Sequence, residues 1–275
     1  NSEAVDNWTA QQERMDATLA PVAAAALARA APAAGERVID VGCGCGATSL
    51  ALAAAVGPLG HVLGVDISRP MLDRARERAA ASGLAQVSFV QADASLHAFP
   101  PAAADLVFSR FGVMFFRNPV DAFANLRRAA RPGGQYGGGR LLFAAWRGLD
   151  ENPYFNLSLR AALALVPPPP RPAADEPGPF AFADPERVRG ILEEAGWHDM
   201  ALERCDLMLR AGPPGGAAEA AALAVRVGPA SRALADAPQS VREEAQAAVE
   251  AVLARHDGPE GIMLPASVWL VSARA

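Results

Sequence analysis

The segment Arg37-Val38-Ile39-Asp40-Val41-Gly42-Cys43-Gly44-Cys45-Gly46-Ala47-Thr48 constrains this chain more than any other. A short apolar run rich in β-branched residues reads as a strand buried in a parallel sheet. Three alternating glycines end it, and a helical pattern (Leu50, Leu52, Ala53, Val56) follows directly. A strand, a glycine turn and a helix start bring backbone N–H groups and the positive end of a helix dipole up to a ligand. By itself the turn leaves open a dinucleotide, a phosphate, another small molecule, or a tight turn with no ligand at all.

The same alternation continues downstream. After the turn Gly57-Pro58-Leu59-Gly60, residues 61–66 form a second buried strand with Asp66 at its tip. Ser68 and Pro70 start a helix carrying Met71, Leu72, Ala75 and Ala79, which stops near Gly83. Residues 87–90 are a third strand that delivers Asp93. Residues 105–109 are a fourth, running into Arg110-Phe111-Gly112-Val113-Met114-Phe115-Phe116. Asn118-Pro119 caps a helix with Val120, Phe123 and Leu126 inward, Arg131-Pro132-Gly133-Gly134 ends it, and residues 141–146 are strand five. Strand alternating with helix predicts an α/β, Rossmann-like, doubly wound sheet of seven strands, mostly parallel with the last antiparallel, plus helical cap insertions. Ligands of such sheets sit beyond the carboxyl ends of the strands, where Gly42–Gly46, Asp66, Asp93 and Ser109 all fall.

Four regions follow. Residues 1–34 read as an N-terminal helical lid: Thr9-Ala10-Gln11-Gln12 is a capping box, Met15, Leu19, Val22 and Leu27 share a face, and Pro21 is expected to divide the segment into two helices. Gln12, Glu13, Arg14 and Asp16 are expected elsewhere on the surface. Residues 35–146 are the ligand-binding half of the core. Residues 147–183 are a proline-rich insertion with Pro167-Pro168-Pro169-Pro170 as a stiff spacer. Residues 184–275 complete the core. There Asp184-Pro185 caps a helix (Val188, Ile191, Leu192, Ala195) closing at Gly196, residues 202–209 are strand six and residues 267–272 the last strand. A helical cap insertion falls near 212–258, best marked by Val241, Ala245, Val249, Val252 and Leu253. The glycine-rich stretch 135–139 interposes a loop without a functional reading.

Composition removes several classes of chemistry. All 25 basic side chains are arginines, so no P-loop, Schiff-base or pyridoxal-phosphate lysine exists. The alanine, glycine and proline loading points to nucleotide bias as the reason. A formal net charge of −5 gives no general attraction to nucleic acid or an anionic membrane. Cys43, Cys45 and Cys205 make no disulfide framework and fall short of four-ligand zinc spacing, so no metal is expected and a cytoplasmic setting is. No signal peptide or membrane-spanning run is visible, and membrane insertion is not expected.

The ordered set now carries a family resemblance. Val38-Ile39-Asp40-Val41-Gly42-Cys43-Gly44-Cys45-Gly46 resembles motif I of class I S-adenosylmethionine-dependent methyltransferases, Gly64-Val65-Asp66-Ile67-Ser68 the acidic second motif, and Gln91-Ala92-Asp93-Ala94 the third. Leu126 to Gly134 is similar to the helix end and Arg-Pro-Gly-Gly turn before strand five. Within that class the chain most resembles the ubiquinone/menaquinone-biosynthesis-like small-molecule methyltransferases, departing at Cys45, where that group often has Thr, Ser or Pro. A dinucleotide dehydrogenase shares the first glycines and the Asp66 position. Its spacing is G-x-G-x-x-G, however, and it has no reason for Asp93.

The resemblance implies S-adenosyl-L-methionine as cofactor, held by Asp40, Gly42, Gly44, Gly46, Asp66, Ile67, Met71, Asp93, Ala94 and Ser109. Asp66 would accept from the ribose hydroxyls, Ile67 pack on the adenine, Asp93 accept from its exocyclic amine, and the Ala94 N–H serve the ring. Asp66 also reads as a helix cap, and Asp93 as an Asx-turn. The partner is a small-molecule methyl acceptor, aromatic or quinone-like, methylated by in-line displacement. Trp8, Gln12, Met15, Arg110, Phe111, Met114 and Trp146 are expected around it, Met114 equally well as packing. Methyl transfer needs alignment and exclusion of water more than a dedicated base, and His97 and Arg110 are the candidates for chemistry. Glu151-Asn152-Pro153-Tyr154 invites comparison with the Asn-Pro-Pro-Tyr motif of amino-group methyltransferases. That motif follows strand four, where this chain has Ser109-Arg110-Phe111-Gly112, so the comparison is rejected. The competing readings are a cofactor-binding protein that does not transfer methyl groups and an NAD-dependent oxidoreductase.

Overall fold

The computed structural model describes residues 12–133, 138–170, 173 and 176–275. Eight strands form one sheet in the order β3-β2-β1-β4-β5-β8-β6, with the short β7 paired to β8. They are β1 (Arg37–Val41), β2 (His61–Asp66), β3 (Val87–Gln91), β4 (Leu106–Arg110), β5 (Arg140–Trp146), β6 (His198–Gly212), β7 (Asp257–Gly258) and β8 (Gly261–Arg274). The first five pair in parallel, and β8 runs antiparallel to both β5 and β6. The expected mostly parallel sheet is therefore present, with the two-residue β7 as an unanticipated eighth strand.

The helices are α1 (Gln12–Ala30), α2 (Ala47–Val56), α3 (Arg69–Ala81), α4 (Pro119–Ala129), α5 (Pro153–Leu163), α6 (Pro185–Glu194), α7 (Ala217–Ala224), α8 (Pro229–Ala233) and α9 (Gln239–Leu253). Three starts follow local chemistry. The side chains of Ser68, Asn118 and Asp184 accept from the backbone N–H groups of Met71, Asp121 and Glu186, each ahead of a proline in the first turn. The central strands are buried on both faces, and Phe123, Phe143 and Phe182 pack with centroids 5.5–6.1 Å apart on one side.

Two expectations need correction, on Pro21 and on the lengths of β6 and β8. Helix α1 does not divide at Pro21 but runs unbroken through it. The missing N–H removes one hydrogen bond, while Leu19, Val22, Ala26 and Ala30 remain buried against the core on both sides of the proline. Within the region 147–183, expected with the later helices to form a cap, lies α5. The apolar face of α5 (Leu157, Ala161, Ala162) packs with α7, α8 and α9, so the cap has helices from both insertions. Finally, β6 and β8 are far longer than the six to eight residues expected, at 15 and 14 residues. They extend as a two-stranded ribbon, paired as far as Gly212 and Ile262, from which the cap helices spring.

Candidate cofactor and acceptor site

The glycine loop joins β1 to α2, and its glycines do different jobs. Gly42 has φ +68°, and a Cβ there would lie 2.6 Å from the Gly112 Cα, so the loop after β1 and the turn after β4 touch backbone to backbone. Gly46 is likewise packed, against Ala75 and Phe89. Gly44, φ +54°, has only the Met71 Sδ near it, 3.9 Å from where a Cβ would sit. Of the three glycines expected to front a ligand, Gly44 alone faces open space.

Asp40 is fully buried at the end of β1. Thr48 and Ser49, in the first turn of α2, donate their hydroxyls to its Oδ2 at 2.7 and 2.6 Å. Oδ1 is the one enclosed side-chain oxygen or nitrogen without a partner among the described residues. Burial pushes the carboxyl up to about 6, against the opposing pull of the two hydroxyls and the Arg110 charge. An orphaned, enclosed acceptor oxygen beside an open glycine suits a ligand carrying a cationic donor.

Asp66 caps β2 and ties the loop together, its Oδ2 accepting from the Gly44 N–H at 2.8 Å and its Oδ1 from the Ser68 N–H at 2.9 Å. Each oxygen keeps a lone pair for a ligand hydroxyl. Asp93 Oδ1 accepts from the Ser95 N–H and hydroxyl, an Asx-turn, and Oδ2 has no partner among the described residues. The Ala94 N–H likewise donates to no described group, although its carbonyl accepts from Asn125. Ile67 is 72% exposed and Leu96 82%. These are large apolar side chains left in water next to two carboxylates.

A second group of side chains begins where β4 ends. Phe111 holds a left-handed backbone, φ +66°, a strain that a bulky residue bears only when its surroundings fix it. Here its N–H donates to the Ala144 carbonyl at 3.0 Å, and its ring stacks on Trp146 at 4.3 Å and 6°. Tyr154 lies parallel to Trp146 on the far side of the ladder, 6.4 Å and 7°, with Phe155 edge-on to both. Burial pushes the Tyr154 phenol up to about 12, partly offset by the Arg14 charge, so it stays protonated and can donate. Tyr154 and Phe155 were not anticipated.

The other candidates divide. The guanidinium of Arg110 makes no hydrogen bond or ion pair with any described residue, and burial draws its pKa down. The Ser109 hydroxyl is spent within the protein, donating to the Val41 carbonyl and accepting from the Gly112 N–H. Met114 is 2% exposed in the core, the packing alternative, and Phe115 is turned outward. His97 pins its own loop: its carbonyl accepts from Asn125 and its ring packs edge-on against Phe99. Trp8, the capping-box residues Thr9 to Gln11 and residues 135–137 of the glycine-rich stretch lie outside the described residues.

Helix α1 is not a surface-polar segment as expected. Gln12 is buried, and Met15 packs on the core. Asp16 pairs with Arg78 at 2.9 Å, and Gln12 accepts from Arg74, joining α1 to α3. Arg14 donates to Glu219 at 2.6 Å and to the Ala211 carbonyl, joining α1 to the ribbon and cap. No group of three or more His, Cys, Asp or Glu side chains able to hold a metal occurs among the described residues. No helix among them is long and apolar enough to cross a membrane.

The sheet order, the loop after β1 and the strand-end carboxylates make a Rossmann-like fold with its candidate site at the carboxyl ends of the strands. Residues 38–134 match the family described as a methyltransferase domain. The chain is similar to aklanonic acid methyltransferase of Streptomyces sp. strain C5, 36% identical over 38% of this chain and 47% of that protein. It is also similar to the demethylmenaquinone methyltransferase of Geobacillus kaustophilus (35%, over 36% and 43%) and to the ubiquinone/menaquinone biosynthesis C-methyltransferase of Ectopseudomonas mendocina (38%, over 37% and 40%). In each case the match spans less than half of the relative. Over most of the chain the fold is that of the YcgJ protein of Bacillus subtilis (TM-score 0.58, 15% identity, 92% of this chain and 97% of that one). It is likewise that of Haemonchus contortus phosphoethanolamine N-methyltransferase 2 in complex with S-adenosylmethionine (0.55, 20%, 92% and 52%) and of the [4+2]-cyclase SpnF (0.54, 18%, 92% and 80%).

Proposed function

We propose that this protein transfers a methyl group from S-adenosylmethionine to a small aromatic or quinone-like acceptor. A fold that a [4+2]-cyclase shares does not by itself specify methyl transfer, so the reading rests on the site. The observation that carries it is the meeting of two unlike surfaces at the carboxyl end of the sheet. The Gly42–Gly112 contact joins the open Gly44 loop to the turn that carries Phe111, whose ring begins the ladder with Trp146 and Tyr154. The names of the similar proteins, an aklanonic acid and a demethylmenaquinone methyltransferase, favour an acceptor of this shape.

When bound, the cofactor supplies an electrophilic methyl group on a sulfonium centre for in-line displacement. The protein's share is placement and drying. Asp66 accepts from the ribose hydroxyls, the Ala94 N–H and Asp93 Oδ2 meet the adenine edge, and Ile67 and Leu96 cover its faces. Phe111 and Trp146 align a flat acceptor, and the protonated Tyr154 donates to an acceptor oxygen. Helix α1 acts as the lid, and α5 with α7 to α9 as the cap. No dedicated base is assigned.

Calorimetry with S-adenosylmethionine and S-adenosylhomocysteine, followed by methyl-transfer assays on phenols, quinols and amines, tests the reading. Binding of both nucleosides and turnover of an aromatic acceptor are expected. Absence of binding, or binding undiminished by Asp66→Ala plus Asp93→Ala, overturns the cofactor assignment. Binding without transfer across the whole panel overturns the enzymatic one.

A further inference from the structure

We propose that the free edge of β6 pairs with the same edge of a second copy of this chain, antiparallel and about a two-fold axis at Cys205. Strand β6 ends the sheet, and no described strand pairs with its outer side. At 15 residues it is long for an edge. Its pairing is irregular only near its ends, between His198 and Ala201 and between Arg210 and Gly212, so residues 201–210 keep an even register with β8. The Arg147 N–H, just past β5, donates to the Ser267 carbonyl. The odd-numbered residues of β8 therefore turn their backbone groups toward β5, and the even-numbered ones toward β6. Through the register, Leu202, Arg204, Asp206 and Met208 point their N–H and C=O groups outward. None of those groups meets a described partner. Helix α1 reaches this edge only beyond them, where Thr18 donates to the Arg210 carbonyl.

An open edge of this kind is a template for another strand, and charge of a single sign is the usual guard against it. Here the signs are mixed: Glu203, Arg204, Asp206 and Arg210. In a two-fold antiparallel pair, opposite side chains share a face of the sheet, so the axis passes through a residue and not between two. An axis at Glu203, Arg204 or Asp206 sets that charge against its own copy. An axis at Leu207 sets Arg204 against the partner's Arg210. Within the outward run only Cys205 avoids a like-charge pair. That register places Arg204 opposite the partner's Asp206 and Leu202 opposite the partner's Met208, each twice. Arg204 Nε already lies 2.9 and 2.8 Å from the two carboxylate oxygens of Asp206 in its own strand, so pairing closes a ring of alternating charges. It also covers Met208, a large apolar side chain left 46% exposed. Opposite charges and apolar pairs directly across a ladder both favour the pairing.

The axis residue supplies its own reporter. Cys205 and the partner's Cys205 form a pair without mutual hydrogen bonds, whose Cα atoms stand about 4.5 Å apart, within reach of a disulfide. Cys43 and Cys45 are buried, whereas Cys205 is not fully enclosed. Sedimentation velocity of the full chain over a range of concentrations should show a monomer–dimer equilibrium. Oxidation with copper phenanthroline in air should then give a covalent dimer that Cys205→Ser abolishes. Arg204→Asp places like charges opposite each other and is expected to weaken the dimer about tenfold or more. Arg204→Asp combined with Asp206→Arg restores opposite charges, and with them the dimer. Unchanged thermal unfolding shows that the variants are folded. A chain that stays monomeric at every concentration overturns the proposal. So does a dimer indifferent to Arg204→Asp, a double exchange that remains monomeric, or a dimer that Cys205 does not link, each of which removes the β6 edge from the interface.

Discussion

Asp16, on α1, holds the guanidinium of Arg78, on α3, at 2.9 Å, and the same guanidinium donates to the Cys45 carbonyl at 2.6 Å. One arginine thus ties the N-terminal helix to the glycine loop. Both partners are three-quarters enclosed, so the contact is less screened than an ordinary surface pair.

Asp16→Asn is therefore expected to loosen α1 over the loop. The global cost should be modest, about 1 kcal/mol by urea unfolding. Stopped-flow exchange of S-adenosylhomocysteine should show a several-fold faster release. An unchanged release rate would remove α1 from the path of the nucleoside.

Gly42 and Gly44 should respond differently to alanine although both have positive φ. At Gly42 the new Cβ meets the Gly112 backbone at 2.6 Å, which cannot give way without parting β1 from β4. A loss above about 3 kcal/mol is expected from clash and left-handed strain together. At Gly44 only the conformational cost of about 1–2 kcal/mol applies, while nucleoside binding falls at least tenfold. Equal loss of stability in the two variants would contradict the packing described.

Asp40 gives a pH signature in the ligand-free protein. Its carboxyl is held at about 6, above the ordinary carboxylate value, so the folded state takes up the proton more readily than the unfolded chain. The resulting stabilisation is complete below about pH 4 and is lost as pH rises through about 6. The size is of the order of 3 kcal/mol for two pKa units. Asp40→Asn lacks this titration, so the stability of the unmodified protein relative to the variant should decline from pH 4 to pH 7. A difference that stays constant with pH would show that Asp40 is not perturbed.

Tyr154→Phe keeps the ladder and removes one hydroxyl. The acceptor KM should rise about fivefold, the worth of one neutral hydrogen bond, with S-adenosylhomocysteine affinity untouched. A fall in S-adenosylhomocysteine affinity instead would place the phenol on the cofactor side.

Much of this site could be read along the chain because its determinants are local. Ser68, Asn118 and Asp184 announce their helices within three residues. The carboxylates of Asp66 and Asp93 follow from strands whose ends the hydrophobic runs mark. What could not be read depends on residues distant in sequence. Nothing near Asp16 announces Arg78, and nothing near Gly42 announces that Gly112 occupies its Cβ position. Pro21 read as a break because local propensity counts the lost hydrogen bond but not the buried face on either side. Helix α5 was hidden by flanking prolines, and with it Tyr154 and Phe155, whose role rests on Trp146 at the end of β5.

The unbroken course of α1 through Pro21 has a kinetic meaning. A helix with a hinge at its centre could lift over the nucleoside while staying seated on the cap. This one is a single rod, gripped by Arg78 and Arg74 towards the loop and, through Arg14 and Thr18, by β6 and α7. Loosening its hold on the glycine loop therefore loosens its hold on β6 and α7 as well, and under the proposed function the nucleoside and the acceptor would be exposed in one shared opening.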